Sequence, residues 1–172
     1  MTGEEIMASR TANPGFRLFA AAALALLLLG ATPRPTLAAD SGPVQSAKAV
    51  LVAIGLAVVA IDKVIDKAQE LLRGHPEDRE LGGMVAGLGG DRADLEELKK
   101  ILDVLIRQQI TAARYKDWCE DYGSESEETQ RHMKVLRKHL RQIGYSETAV
   151  AQIEQNAEDA ARALVRAHQN CD

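Results

Sequence analysis

Apolar residues recur along most of this chain at alternating steps of three and four, the spacing of one face of an α-helix. From about Ser46 to Arg73 the stripe is Ala47, Val50, Ile54, Ala57, Ile61, Val64, Ala68 and Leu71, widened by Leu51, Val58, Ile65 and Leu72. Pro43 stands before this helix, and Gly74 and Pro76 stand after it as stop signals. Between Ala49 and Ile61 it has no polar side chain, so that half is apolar all round and is expected to be centrally buried or a self-association surface.

Residues 74–91 hold six of the thirteen glycines, which predicts a mobile connection rather than a helix. They do not form a phosphate loop, because Gly90 is followed by Asp91 and Arg92 and not by lysine and a hydroxyl residue. A second helix is expected over 92–122, on Leu95, Leu98, Ile101, Leu102, Leu105, Ala112 and Cys119, ending at Gly123. Ser124 with Glu127 makes a capping box for a third helix over 124–143, with Met133, Leu136, Leu140 and Ile143 inward and Gly144 as its stop. Ser146 caps a fourth over 146–171, on Val150, Ile153, Ala157, Ala160, Leu164, Ala167 and Cys171. No strand pattern competes. The expected fold is all-α, a small bundle of about four helices.

The N-terminus has a different pattern. Arg10 and Arg17 precede an unbroken apolar run from Leu18 to Leu29, and a proline-marked tail ends in Thr36-Leu37-Ala38-Ala39. Small residues at Thr36 and Ala38 suit signal peptidase, so residues 1–38 are expected to be a signal peptide, with Ala39 as the alternative cut. Twelve apolar residues fall short of the roughly 20 that a membrane span needs. The exported part, 39–172, then works in the periplasm or outside the cell. Removing Glu4, Glu5, Arg10, Arg17 and Arg34 takes away a net +1, moving the charge from −4 to −5. Such an acidic chain is a poor nucleic-acid ligand, since phosphate contact needs a concentrated positive field.

Cys119 and Cys171 both fall in the exported part, where an even pair is most simply a disulfide. Helix lengths support the pairing. At 1.5 Å per residue the third helix is roughly 30 Å long and the fourth roughly 39 Å, so the fourth overshoots by about six residues and brings Cys171 back to Cys119.

Two groups are candidates for a binding surface. Tyr115, Trp118, Cys119 and Tyr122 stand at i, i+3, i+4 and i+7, either an aromatic wall for an apolar ligand or a plug that packs the disulfide. Arg131, Lys134, Arg137, Lys138 and Arg141 form a face without an intervening acid, suited to an acidic protein or an anionic envelope component, or else a solvated face. Metal chemistry is not supported, since His132 and His139 stand roughly 10 Å apart along the helix and zinc at His168 and Cys171 would need reduced thiols. No nucleophile motif or haem motif is present, and no cofactor is expected. The expected role is a non-enzymatic protein-binding module, of the inhibitor, immunity or chaperone-like kind. The alternative is membrane association or self-assembly through the apolar half of the first helix; a small-molecule or metal carrier ranks third.

Overall fold

The computed structural model describes residues 42–171, so the signal-peptide expectation over 1–38 lies outside the described residues. Four helices follow one another with short turns: α1 (Gly42–Gly74), α2 (Arg79–Arg107), α3 (Ala112–Ile143) and α4 (Glu147–Gln169). No strand occurs among the described residues. Pro43 lies in the first turn of α1, where its missing N–H leaves no helical bond unmade. Thr111 caps α3 by accepting from the Arg114 N–H, and Ser146 caps α4 by accepting from the Ala149 N–H. Gly144, at φ 80°, stops α3 in the left-handed conformation that glycine adopts most cheaply.

Three expectations about where the helices run are corrected. The glycine-rich stretch is not a mobile connection: apart from residues 75–78 it is helical, Gly74 closing α1 and α2 beginning at Arg79. Leu81, Val85 and Leu88 are buried in phase with Leu95, Leu98 and Leu102, so one apolar stripe runs through the glycines. Each glycine costs a helix about 1 kcal/mol relative to alanine, and burial of that stripe offsets the cost. Second, the helix expected over 92–122 breaks at residues 108–111, where Gln109 takes φ 57° and Ile110 turns inward to 4 % exposure. Third, Gly123 does not end a helix. It lies inside α3, where a Cβ would stand 3.4 Å from the His168 ring, so the missing side chain admits α4. Ser124 accordingly caps nothing; its hydroxyl donates to the Glu120 carbonyl one turn back.

Each of α1 and α3 packs on α2 and α4, leaving α1 and α3 almost out of contact across the bundle. The core is aliphatic, with Ile54, Ile61, Leu81, Leu88, Leu95, Leu102, Met133, Leu136, Leu140, Ile153 and Leu164 fully buried. Ile143, expected inside, is 57 % exposed at the end of its helix. The apolar half of α1 is not centrally buried either. One side, carrying Val52, Leu56 and Val59, faces outward at 66, 54 and 53 % exposure, because α1 has neighbours on two sides only.

Candidate functional site

The antiparallel course of α3 and α4 brings the start of one to the end of the other, and there Cys119 and Cys171 form a disulfide with Cα atoms 5.7 Å apart. The three aromatic residues beside it stack in a row. Tyr115 and Trp118 have ring centres 6.4 Å apart at an interplanar angle of 3°, and Trp118 and Tyr122 follow at 5.4 Å and 6°. All three are buried, and each uses its polar atom inside the bundle. The Tyr115 hydroxyl donates to the Asn170 carbonyl, the Trp118 Nε1–H to the Leu98 carbonyl and the Tyr122 hydroxyl to the Leu164 carbonyl. Burial pushes the Tyr115 phenol up to about 12 and, against a hydrogen bond with Ser126, the Tyr122 phenol to about 12 as well. This wall is a plug that ties α3 to α2 and to the C-terminal end of α4, and it offers no free aromatic surface.

At the opposite end the charged groups converge instead. Asp78, the cap of α2, accepts from the Leu81 N–H at 2.9 Å, from His139 Nε2 at 2.8 Å and from the Tyr145 hydroxyl at 2.7 Å. Burial pushes this carboxyl up, but the three donors outweigh it and hold Asp78 down at about 2. An ionised Asp78 can only accept, so it fixes the proton on Nε2 of His139, whose Nδ1 lies 3.5 Å from Glu80. His75 packs edge-on against Tyr145 at 5.0 Å. The two turns at this end are thereby joined through one carboxylate.

A second carboxylate–histidine contact lies further along α2. Asp91, 4 % exposed, stands 2.7 Å from Nδ1 of His132, whose Nε2 is 3.9 Å from Glu128. Here burial dominates and raises the Asp91 carboxyl despite the hydrogen bond from His132. Sequence reasoning weighed these histidines as metal ligands and missed both contacts. The signal was present, since Asp91 occupies an inward position of the α2 stripe and His139 stands beside inward Leu136 and Leu140. The two contacts tie α2 and its cap to α3. Among the described residues no group of three or more His, Cys, Asp or Glu side chains is placed to hold a metal ion.

The cationic face remains open. Arg131, Lys134, Lys138 and Arg141 are exposed along α3, and Arg137 is half-buried toward α4. Arg141 pairs with Glu154 of α4 at 2.6 Å and Arg131 with Glu128 at 3.2 Å. Among the described residues Lys134, Arg137 and Lys138 form no ion pair. Arg131, Lys134 and Arg137 line a groove of about 330 Å³ between α3 and α4, floored by Met133, Ala157 and Ala161. The other open feature is the Val52, Leu56 and Val59 side of α1; that helix is long and apolar enough to cross a membrane, although half of its most apolar window is buried in the bundle.

No family model matches this chain, and no curated protein or solved structure is significantly similar to it.

Proposed function

We propose that the chain is an exported, non-enzymatic protein-binding module whose binding face is the cationic side of α3. One observation carries this: Lys134, Arg137 and Lys138 stand without an ion pair among the described residues, two of them on the rim of the α3–α4 groove. An acidic chain that leaves Lys134 and Lys138 without an ion pair among the described residues, with Lys134 and Arg137 beside an apolar floor, offers a surface complementary to carboxylates on a partner. The aromatic row is buried as a plug, and the Asp78 and Asp91 carboxylates are taken up by contacts within the bundle, which leaves the cationic face as the more open of the charged groups described. The N-terminal apolar run and the Thr36–Ala38 cleavage pattern favour the periplasm or the exterior as its place of work.

The test is charge reversal, R131E/K134E/K138E, with the immobilised protein presented to the proteins of its own compartment. Capture of an acidic partner is expected to fall at least about tenfold, as close charge pairs at an interface turn repulsive. Capture at the wild-type level removes the cationic face from the reading. A second reading, membrane association or self-assembly through α1, is favoured by the outward Val52, Leu56 and Val59. Flotation with anionic liposomes tests it, and protein left at the bottom of the gradient excludes lipid as the cover for that side.

A further inference from the structure

The outermost line of α3 is Ala113, Asp117, Glu120, Ser124, Glu127, Arg131, Lys134, Lys138 and Arg141, and all nine residues are exposed. Their spacing alternates steps of four and three, so they form one continuous seam of the kind that faces a second helix in a coiled coil. Charge divides the seam in the middle. Its first half carries Asp117, Glu120 and Glu127 with no cation, and its second half carries Arg131, Lys134, Lys138 and Arg141 with no acid.

We propose that this seam is a self-complementary interface, on which α3 of a second copy of this chain docks antiparallel about a twofold axis between Glu127 and Arg131, level with the buried Thr129. The proposal rests on the cationic-face reading and names the partner of that face. In this register Asp117 meets Arg141 of the other copy, Glu120 meets Lys138, Ser124 meets Lys134, and Glu127 meets Arg131. The three layers that carry two charges all pair opposite signs, Lys134 meets the neutral Ser124, and twofold symmetry repeats each pair. An isologous contact of this sort closes at two copies and leaves no unmatched surface for further growth. The parallel arrangement would stack like on like along the whole seam, so charge selects the antiparallel one.

The free chain shows why each half gains from a partner. Asp121, beside the acidic half, has its carboxyl raised by burial and then by the nearby Glu120 and Asp117, a local excess of negative charge. Lys134 and Lys138 have no ion pair among the described residues, while Arg131 and Arg141 are already engaged by Glu128 and Glu154 on their own chain. The layers nearest the axis and at the ends therefore exchange partners, and Glu120 with Lys138 forms the pair gained outright. Exposed pairs are individually weak and screened by salt, so the dimer is salt-sensitive rather than tight.

Sedimentation equilibrium of the protein purified from its producing cell reads this directly. Dimer is expected at low ionic strength and monomer at about 1 M salt, where the screening length falls to about 3 Å. E120K and K138E each place like charges in two symmetry-related layers, and each is expected to dimerise at least about tenfold more weakly than the wild type. Mixed in equal amounts the two variants restore opposite signs in both layers, and a heterodimer of wild-type strength is expected. Both substitutions keep good helix formers on an exposed face, and superimposable circular dichroism spectra show that the fold is intact. A wild type that stays monomeric at low salt, single variants that dimerise like the wild type, or a mixture that does not recover would each overturn the self-pairing. If R131E/K134E/K138E still loses capture of an acidic partner in that event, the cationic-face reading survives alone; unchanged capture removes both.

Discussion

The two ends of this bundle solve one problem, holding antiparallel helices together, by opposite means. The end at Cys119 and Cys171 is closed by a covalent bond and three stacked rings whose polar atoms all bond to backbone carbonyls. The end at Asp78 is closed by one ionised carboxylate that collects a backbone N–H from α2, a histidine from α3 and a tyrosine from the turn after α3. The first should respond to reductant and be indifferent to acid; the second should be indifferent to reductant and weaken only as the pH falls below about 4. A chain with so few aromatics can build only one aromatic plug, and the other end relies on polar contacts that need their correct protonation state.

The largest separation of the two ends is expected from removing the disulfide. C119S/C171S opens a loop between positions 52 residues apart and should cost about 4 kcal/mol in the chain-entropy model. Denaturant unfolding measures the loss, and hydrogen exchange should rise at the end of α4 while the amides of the Asp78 turn stay protected. Next in size is D78A, which removes the cap of α2 and leaves His139 and Tyr145 without their acceptor, at about 2–3 kcal/mol. If D78A costs no more than an exposed surface substitution, the carboxylate hub is not what closes its end.

Acid sharpens the comparison further. Asp78 is depressed from the usual 3.8 to about 2, so its contribution is complete above about pH 4 and is lost as pH falls toward 2. Asp91 is raised by burial, so its effect has the opposite sign: it favours the fold in acid, and that gain is lost as pH rises through its folded value. The stability difference between wild type and D78N should therefore shrink between pH 4 and pH 2, whereas D91N should lose its advantage over wild type as the pH is lowered. Matching acid responses in the two variants would contradict the assignment. The smallest expected effect concerns the segment of α2 that leaves the Asp78 end. A Cβ at Gly83, Gly87 or Gly89 meets nothing within 4 Å, so G83A, G87A and G89A should each stabilise by about 0.5–1 kcal/mol. Destabilisation by all three would mean that this stretch is not the helix described.

Much of the fold was legible in the residues. The stripes of α1, α3 and α4, the caps at Ser146 and Gly144, and the meeting of Cys119 with Cys171 all follow from spacing and length. The disulfide was reached although both ends of the second helix were misplaced, because the reach of α4 depends on its length and not on where α2 stops. The first part of α2, residues 79–91, was missed because glycine content outweighed the steps from Leu81 to Val85 and Leu88, which stayed in phase with Leu95. The turn at 108–111 was missed for the opposite reason: no glycine or proline marks it, and Gln109 takes a left-handed conformation that glutamine seldom adopts. Of the candidate surfaces, the cationic face of α3 was readable as a face, since exposure follows helical period. The aromatic row was equally readable, but whether it was wall or plug depended on Leu98, Leu164 and Asn170, contributed by α2, α4 and the chain just beyond α4.

Taken alone, the sequence determined what is local: which stretches repeat every three to four residues, which residues cap them, and which cysteines their lengths bring together. Only the tertiary structure decided where a helix could continue through glycine, where it had to break without one, and which polar groups were taken inside. The reason is physical. Helical periodicity and capping involve residues within one or two turns, whereas the burial that outweighs a glycine or fixes an Asp–His pair comes from partners 41 to 61 residues away, as at Asp91 with His132 and Asp78 with His139.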